Sequence, residues 1–453
     1  MKVLICSYTA AAHSSYGSQT RELWTRLLAT RKYEIMQHGW FHRETIDGVR
    51  PPWNIYPTNT NFDDEGAPRA TLMDRYGQQS FDRVCQQFKP DIVWGLADPF
   101  MLDYLAQYKD KFGFKLAIWT PIDGVPVPEG YRKIVQAADA PFGVTEWGAD
   151  LMEFIAERPV GAIHHGVDVD VFYRDSDENR AAMRAKAAAH TDCPEHAYVL
   201  GFLGKNQFRK MPWIIYPVVY YLNSGHWVRC LGCDKISLGE YDCGRRRPLG
   251  LPSTCHHCGD EEEMVKGKPI PTRMWVHMYE KEAGVNFKWL EHVWNVPGYF
   301  SYSEGLSPTF GYGYDAMRTF YNVCDVYMSL SGGEGFCLPI IEAAACGVPT
   351  VYTDYSGQAE VGRICGGLPV KAAAMINEHH TEMHINRAVP DLSDAIDKLY
   401  QLSVPLLRED ASRKAIQAVE KNFSWNLIVP QWHKALMELH ERKGDQRMLG
   451  VIA

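Results

Sequence analysis

The sequence lacks the features of exported and membrane proteins. No apolar run reaches the roughly 18 residues that a membrane-spanning helix requires. Residues 1–8, MKVLICSY, hold one lysine and no small-residue cleavage site, so they do not have the build of a secretory signal. Internal repeats and low-complexity tracts are also missing. We therefore expect a folded cytoplasmic protein with no membrane span.

An excess of positive charge is missing as well. The 453 residues include 47 Lys and Arg against 55 Asp and Glu, a formal net charge of −8. No global field would draw such a chain onto nucleic acid or anionic lipid, so any binding of that kind must be local. The apolar fraction of 46% supplies ample core material, and at roughly 100–200 residues per domain the length allows two to four domains.

The cysteines do not suggest a disulfide framework. Of the twelve, seven are scattered singly and five lie between Cys230 and Cys258, which suits a reducing compartment. Cys230 and Cys233 form one C-x-x-C pair, and Cys255 and Cys258 form a second pair after 21 intervening residues. Two such pairs can present four thiolates to a tetrahedral metal, so the spacing predicts a structural zinc site of the zinc-ribbon kind.

Other residues near the two pairs leave the ligand set open. Cys243, His256 and His257 are substitute ligands or bystanders, and a set of free thiols is the alternative to a metal site. We expect residues 227–271 to form a small metal-bound insertion. Such a module has too small a core of its own to be stable without a metal.

Short apolar runs alternate with helical patterns through most of the chain, which predicts parallel sheets covered by helices. Expected strands in the first third are residues 2–7, 34–37, 91–96, 115–119 and 141–145. A second set follows a polar, alanine-rich connector around residues 174–196 and comprises residues 198–203, 274–277, 326–330 and 350–353. The predicted fold class is α/β, with two Rossmann-like, doubly wound domains that face a cleft.

The most informative segment is residues 325–354, in which a strand, a glycine-rich loop, a helix and a strand follow one another. The loop precedes a helix that begins near a proline, so its free backbone N–H groups offer an anion site. The N–H groups expected to bind a nucleotide belong to Gly335, Phe336, Cys337 and Leu338. A glutamate stands on each side of these residues, Glu334 before the helix and Glu342 on it.

This stretch closely resembles the Glu-x7-Glu signature of retaining glycosyltransferases with two Rossmann-like domains (GT-B), the glycogen-synthase-like family 4. The resemblance implies that Glu334 is a catalytic residue beside the donor sugar and that Glu342 holds the nucleotide ribose. It also implies a nucleotide-diphosphate sugar, UDP- or GDP-linked, as donor substrate. The alternative is two solvated glutamates beside an ordinary strand-to-helix turn.

Residues 201–211, GFLGKNQFRKM, resemble the diphosphate-binding stretch of the same family. The match implies that Lys205 and Lys210, with Arg209 beside them, neutralise the charge on the departing nucleotide. Lys at position 205 in place of the more usual Arg keeps the charge and gives up bidentate geometry. Without the resemblance, three cations in six residues would more often be a solvated loop.

Two segments of the first domain also resemble the family. Residues 14–21, SSYGSQTR, are similar to its glycine turn near the donor phosphates, which implies that role for Gly17. Residues 117–128, AIWTPIDGVPVP, resemble a segment at the catalytic cleft, where many members carry a histidine. Asp123 is therefore a candidate for acceptor contact or proton transfer, His13 could supply an imidazole instead, and a turn-capping role for Asp123 is an equal alternative.

The resemblance implies an acceptor domain over residues 1–170, a nucleotide-sugar domain over 171–427 and a final segment, 428–453, that returns to the first domain. The activity it implies is transfer of a sugar, with retention, to a hydroxyl of a glycan or of modified DNA.

The insertion carries Arg245, Arg246 and Arg247, so a zinc-ribbon nucleic-acid-binding protein on an inactive scaffold is the alternative. A Rossmann oxidoreductase would need G-x-G-x-x-G after the first strand, and residues 7–20 lack it. The sequence leaves the oligomeric state open.

Overall fold

The chain forms two parallel β-sheets, one from each half of the sequence. The structure, a computed structural model, describes residues 1–40, 50–58, 60–62, 68–70, 76–188, 196–261, 264–282, 284–306, 312–379, 381 and 383–442. None of the helices in these ranges combines the length and the apolarity needed to cross a membrane.

The first half holds nine strands and six helices within the described ranges. The strands are β1 (Lys2–Tyr8), β2 (Glu34–Trp40), β3 (Asn54–Pro57), β4 (Thr60–Phe62), β5 (Pro68–Ala70), β6 (Ile92–Leu96), β7 (Lys115–Thr120), β8 (Ala140–Gly143) and β9 (Gly161–Ala162). The helices are α1 (Ser15–Ala29), α2 (Gln78–Phe88), α3 (Pro99–Leu102), α4 (Leu105–Phe112), α5 (Arg132–Ala137) and α6 (Glu146–Ala156). Seven strands form an all-parallel sheet in the order β3-β2-β1-β6-β7-β8-β9, while β4 and β5 pair as a separate hairpin.

Within the described ranges, the second half holds thirteen strands and nine helices. The strands are β10 (Tyr198–Leu203), β11 (Trp227–Cys230), β12 (Ile236–Leu238), β13 (Tyr241–Asp242), β14 (Arg247–Pro248), β15 (Met264–Lys266), β16 (Thr272–His277), β17 (Phe300–Tyr302), β18 (Val326–Ser329), β19 (Thr350–Thr353), β20 (Leu368–Val370), β21 (Ala372–Asn377) and β22 (Asn386–Pro390). The helices are α7 (Asp177–Ala188), α8 (Ile215–Ser224), α9 (Phe287–Val293), α10 (Tyr314–Val323), α11 (Leu338–Ala345), α12 (Gly357–Ile364), α13 (Leu392–Ser403), α14 (Pro405–Asn422) and α15 (Trp425–Glu441).

The main sheet of this half has six parallel strands in the order β17-β16-β10-β18-β19-β20. The chain moves outward from β10 in one direction through β16 and β17, and then in the other direction through β18, β19 and β20. The direction reverses between β10 and β18, which makes their carboxyl ends the topological switch point where open α/β sheets bind ligands.

Both faces of the first sheet are buried. Neighbouring residues of a strand point to opposite faces, so consecutive residues of β1 show what covers each face. Val3 and Ile5 belong to a hydrophobic cluster that includes side chains of α1 and α15, whereas Leu4 and Cys6 belong to one that includes side chains of α2 and α4. Helices cover the sheet on both sides, as the doubly wound prediction requires.

The last described helix crosses from the second half to the first. Trp432 of α15 packs against Trp94, Trp119 and Phe142, with ring centroids 5.1–5.6 Å apart, and is fully buried on the first sheet. The side chain of Lys115 donates to the carbonyls of residues 439 and 442 at the end of α15. The helix begins at residue 425, earlier than the expected 428, and residues 443–453 of the expected segment lie outside the described residues.

The connector is partly helical, and one local expectation was wrong. The connector around residues 174–196 contains helix α7, which its run of alanines favours, while residues 189–195 lie outside the described part. Residues 15–21 are not a turn but the start of α1, because the hydroxyl of Ser14 accepts from the backbone N–H of Gly17 and begins the helix there.

The insertion predicted between a helix and a strand lies between α8 and β16. Its three-stranded antiparallel sheet has the order β12-β11-β15, and β13 and β14 form a hairpin. The small sheet is anchored to the larger domain, because Trp227 packs on Tyr400 of α13 at 5.1 Å and Arg229 contacts the buried Asp397 of the same helix at 3.3 Å.

Candidate functional site

Two loops leave the same edge of the second sheet. β10 and β18 are adjacent and parallel, so the loops that follow them emerge side by side at the switch point. The first loop carries Arg209 and Lys210 in a short 3-10 turn, and the second carries Glu334. The backbone N–H of Gly332 donates to the carbonyl of Arg209 at 2.8 Å, which ties the two loops together.

Glu334 is the centre of this arrangement. Its side chain is 9% exposed, and its two carboxylate oxygens contact Lys210 Nζ at 2.5 Å and Arg209 Nη1 at 2.7 Å. The hydroxyl of Ser331 donates to it at 2.6 Å. Burial raises the pKa of the Glu334 carboxyl, but the charges of Arg209 and Lys210, with the hydrogen bonds from Lys210 and Ser331, outweigh burial and lower that pKa to about 2. Glu334 is therefore an ionised carboxylate whose neighbours are cationic.

The first domain touches this loop directly. A Cβ added to Gly335 would collide with Pro121, so only glycine permits the approach of the two segments. Asp123, two residues further on, lies 3.6 Å from Arg209 Nε and 3.2 Å from Arg387 Nη1, measured to its carboxylate oxygens. The structure thus brings Asp123, Arg209, Lys210 and Glu334 into one cluster that spans the two halves of the chain.

Asp98 is a cleft residue that the sequence analysis missed. It follows β6 by two residues, at the carboxyl edge of the first sheet, and accepts a hydrogen bond from the hydroxyl of Tyr16 at 2.9 Å. Burial and the nearby charge of Asp123 raise the pKa of Asp98 to about 6, against the opposing effects of Tyr16 and Arg209. The rule that ligands lie beyond the carboxyl ends of parallel strands could have found it.

Glu342 lies apart from the cluster, on α11. Its carboxylate accepts a hydrogen bond from the hydroxyl of Tyr321 on α10 at 2.7 Å. Burial raises the pKa of Glu342 to about 7, and the hydrogen bond from Tyr321 only partly opposes this. Glu342 is thus a poorly solvated acceptor of hydrogen bonds.

The N–H groups of Gly335, Phe336, Cys337 and Leu338 lie where the loop enters α11. Cys337 has a φ of 75° and α11 begins at the next residue. The Phe336 ring packs against those of His165 and Phe423, at 4.9 and 5.8 Å, so this side chain is fixed in the core between the two halves. The rigid loop therefore presents its backbone at the helix amino end.

Besides Glu342, three other expected site residues are not part of the carboxylate and cation cluster around Glu334. Lys205 is 60% exposed, and its ammonium lies 4.0 Å from a carboxylate oxygen of Glu282. Gly17 is buried in the first turn of α1, where an added Cβ would lie 2.7 Å from the carbonyl oxygen of Thr9. His13 is half-buried in the loop between β1 and α1.

Residues 308–363, which contain both Glu334 and Glu342, match the family model for glycosyl transferases group 1. No curated protein matches the sequence. Similar solved structures include HepE of Anabaena in complex with UDP and glucose, which is 12% identical with a TM-score of 0.63, over 97% of this chain and 100% of that one. Sucrose-phosphate synthase of Thermosynechococcus elongatus is 14% identical with a TM-score of 0.66, over 97% and 99%.

A third solved structure, the catalytic domain of starch synthase IV from Arabidopsis thaliana bound to ADP and acarbose, is 11% identical with a TM-score of 0.60, over 97% and 99%. Likeness at these identities establishes the fold. The chain has the fold of GT-B glycosyltransferases. The α/β class with two facing Rossmann-like domains, predicted from the sequence, is confirmed.

A second candidate site lies in the insertion. The sulfur atoms of Cys230, Cys233, Cys255 and Cys258 all lie within 4.8 Å of one another. Two of the separations, Cys230 to Cys258 at 3.6 Å and Cys233 to Cys255 at 3.5 Å, are close to the edge of roughly 3.8 Å in a tetrahedron of thiolates 2.3 Å from zinc. The four thiols thus have the number, type and spacing of a structural zinc site.

The neighbouring residues whose role the sequence left open do not belong to this group. Cys243 is exposed on the β13–β14 hairpin. One ring nitrogen of His257 lies 2.9 Å from the carbonyl oxygen of Ile236, and the backbone N–H of His256 donates to Ser237. The N–H of His257 also points at the sulfur of Cys255 at 3.4 Å, a contact common around metal thiolates.

Proposed function

We propose that this protein is a retaining glycosyltransferase of the glycogen-synthase-like family 4, which moves a sugar from a nucleotide-diphosphate sugar to an acceptor hydroxyl. The observation that carries the proposal is the buried Glu334, held by Arg209 and Lys210 where two loops meet at the switch point. Guanidinium and ammonium groups have donors beyond those that Glu334 occupies. They can therefore bind a diphosphate at the position that Glu334 fixes.

In this proposal the positive groups act on the leaving nucleotide. Preorganised donors aimed at developing charge are usually the largest single contribution to catalysis. As the bond between the sugar C1 and the phosphate oxygen breaks, Arg209, Lys210 and the N–H groups at the start of α11 stabilise the negative charge on that phosphate. The acceptor oxygen bonds to C1 from the same face, and its proton passes to the departing phosphate, which retains the anomeric configuration.

The remaining cleft residues receive roles in the same scheme. Glu342 accepts hydrogen bonds from the ribose hydroxyls, and Lys205 and Gly17 complete the phosphate site from the two domains. Asp123 and Asp98 orient the acceptor hydroxyl, with His13 as a further candidate for proton transfer. Residues 1–170 bind the acceptor and residues 171–427 bind the donor, which we propose to be UDP-linked because HepE, a similar structure, is in complex with UDP.

We also propose that the insertion, residues 227–271, holds a structural zinc ion through Cys230, Cys233, Cys255 and Cys258. When bound, zinc would cross-link the two cysteine pairs and stabilise this small sheet. None of the eleven described cysteines forms a disulfide, which supports a reducing compartment, and we propose the cytoplasm.

Charge does not favour the alternative of nucleic-acid binding through the insertion. Residues 227–271 hold seven basic and seven acidic side chains. Two of the three neighbouring arginines also have partners, since Arg245 lies 3.7 Å from Asp242 and Arg246 lies 2.8 Å from the ring of His292. We therefore propose that the acceptor is a hydroxyl of a glycan and not of modified DNA.

A donor screen tests the activity. Release of nucleotide from UDP-, GDP- and ADP-linked sugars is measured with and without glycan and DNA acceptors. Glu334→Ala and Lys210→Ala should each lower transfer by at least about 10²-fold, the cost of losing a preorganised charge. Glu420→Ala and Lys268→Ala change exposed residues and serve as controls. Near wild-type turnover in both folded site variants would show that the site is assigned wrongly, and no turnover with any donor would favour the inactive scaffold.

A further inference from the structure

A β-hairpin of the second domain lies across the cleft. Strands β21 and β22 form a separate two-stranded sheet, in which β21 is largely exposed whereas β22 is largely buried. The hairpin follows β20, the edge strand of the second sheet, and Val125 of the first domain forms an antiparallel bridge with Asn386 of β22. β22 is therefore in contact with the loop of the first domain that carries Asp123.

Three consecutive residues of β22 contact both sides of the cleft. The N–H of Asn386 donates to the carbonyl of Val125 in the first domain at 2.8 Å. The N–H of Ala388 donates to the carbonyl of Gly332, in the loop that carries Glu334, at 2.9 Å. Between them, Arg387 extends toward Asp123. β22 thus joins the donor-side loop to the acceptor-side loop through its backbone.

Arg387 is held in a fixed orientation. Its side chain is 4% exposed, and its Nε donates to Glu378 at 2.6 Å. Its Nη1 donates to the carbonyl oxygen of Asp123 at 2.9 Å and lies 3.2 Å from the Asp123 carboxylate. A planar guanidinium that contacts both the backbone and the side chain of one residue fixes where that residue is and which way its carboxylate points.

We infer that the β21–β22 hairpin is a positioning element for the acceptor side of the cleft, and that Arg387, oriented by Glu378, sets the carboxylate of Asp123. This inference rests on the proposed glycosyltransferase function. Arg387 acts through Asp123, whereas the donor-side contacts of Arg209 and Lys210 to Glu334 do not involve its side chain. Its loss should therefore affect reaction with the acceptor more than binding of the nucleotide.

The test compares Arg387→Gln with the wild type in full-length protein. Because a misplacement of about 1 Å can cost 10²-fold in rate, we expect kcat/KM for the acceptor to fall by about 10²-fold. The Kd for UDP should change by less than about threefold, since this site is intact. Arg387→Lys keeps the charge but loses the planar guanidinium, so its kcat/KM for the acceptor should lie between those of the wild type and Arg387→Gln. Arg363→Gln, at a 68% exposed arginine on α12, is the matched control.

A double-mutant cycle separates positioning from general support of the fold. If Arg387 acts through Asp123, then Arg387→Gln should cost less than about threefold in an Asp123→Asn background. An equal loss in both backgrounds would overturn the inference. So would an increase in the Kd for UDP as large as the loss of transfer.

Hydrogen exchange tests the inference without an assay of enzymatic activity. The five non-proline amides of residues 121–127 should exchange faster in Arg387→Gln and in Arg387→Lys, while those of β1 keep the wild-type rate. Unchanged exchange at residues 121–127 would overturn the inference. If the wild type turns over no donor, the proposed function fails, and the exchange result still shows whether the hairpin fixes the Asp123 segment.

Discussion

Glu342 gives a quantitative test of the proposed donor site. In the described part of the chain its carboxylate accepts a hydrogen bond from the hydroxyl of Tyr321 at 2.7 Å and forms no ion pair. Replacement by glutamine keeps the size of the side chain and removes the ionisable group. The change should therefore relieve the cost of a buried negative charge, and at the same time replace the carboxylate proposed to accept from the nucleotide ribose with a weaker amide acceptor.

The magnitude follows from the pKa of Glu342, which burial raises from 4.5 to about 7. A raised carboxyl pKa means that the folded protein holds the proton more tightly than the unfolded chain, so the contribution of Glu342 to stability is greatest below pH 4.5 and is lost as the pH rises through 7. At about 1.4 kcal/mol per pH unit, ionisation costs roughly 3 kcal/mol at pH 8 and under about 1 kcal/mol at pH 5.

Thermal unfolding at the two pH values measures this cost. The free energy of unfolding of Glu342→Gln, relative to that of the wild type, should increase by about 2 kcal/mol from pH 5 to pH 8. For an unfolding unit of roughly 250 residues, this raises the Tm of the variant relative to the wild type by about 4–5 °C. Glu420→Gln, an exposed change on α14, should show no such gain. Equal Tm differences at pH 5 and pH 8 would refute the reasoning from burial.

The same variant tests the proposed role of Glu342. An ionised carboxylate accepts hydrogen bonds from two ribose hydroxyls more strongly than a neutral amide does, so UDP should bind at least about 10-fold more weakly to Glu342→Gln at pH 8. Calorimetric titration measures the Kd. A more stable variant with unchanged UDP affinity would place the ribose elsewhere.

The purified protein should contain one zinc ion per chain by elemental analysis. Cys255→Ser should lose the metal and lower the Tm, whereas Cys243→Ser should keep both; retention of zinc by Cys255→Ser would contradict the four-thiolate site. Asp98, whose pKa is raised to about 6 by burial and by the charge of Asp123, should produce an acid limb in the pH profile of kcat/KM, with activity falling below pH 6. Asp98→Asn should flatten that limb, and a variant that keeps it would exclude Asp98 as its source.

The carboxylate and cations of the proposed donor site could be predicted because their signals are local. Glu334, Arg209 and Lys210 each follow a strand whose apolar run is visible in the sequence, and parallel strands place such loops at one edge. Contacts that depend on the packing of distant segments lie beyond such local signals. Lys205 has the expected spacing from Lys210, yet it is 60% exposed, whereas Arg209 contacts Glu334. Which cation reaches the carboxylate depends on the turn at residues 208–210.

Asp98 and Arg387 mark two different kinds of omission. Asp98 carried a usable signal, because it lies just beyond a predicted parallel strand, where open α/β sheets bind ligands. Arg387 carried none, since it lies in no recognisable motif and its partner Asp123 is 264 positions away. Only the packing of the hairpin against the first domain brings the two together.

The sequence by itself determined the α/β class, the loop with Glu334 and the two cysteine pairs, because strand and helix periodicity, turn residues and ligand spacing are written within short segments. The tertiary structure decided which charges meet. Arg209, Lys210 and Glu334 converge with Asp123 and Arg387 because two sheets and a hairpin pack against one another. Such contacts depend on burial and close approach between distant segments, and no short stretch of sequence encodes them.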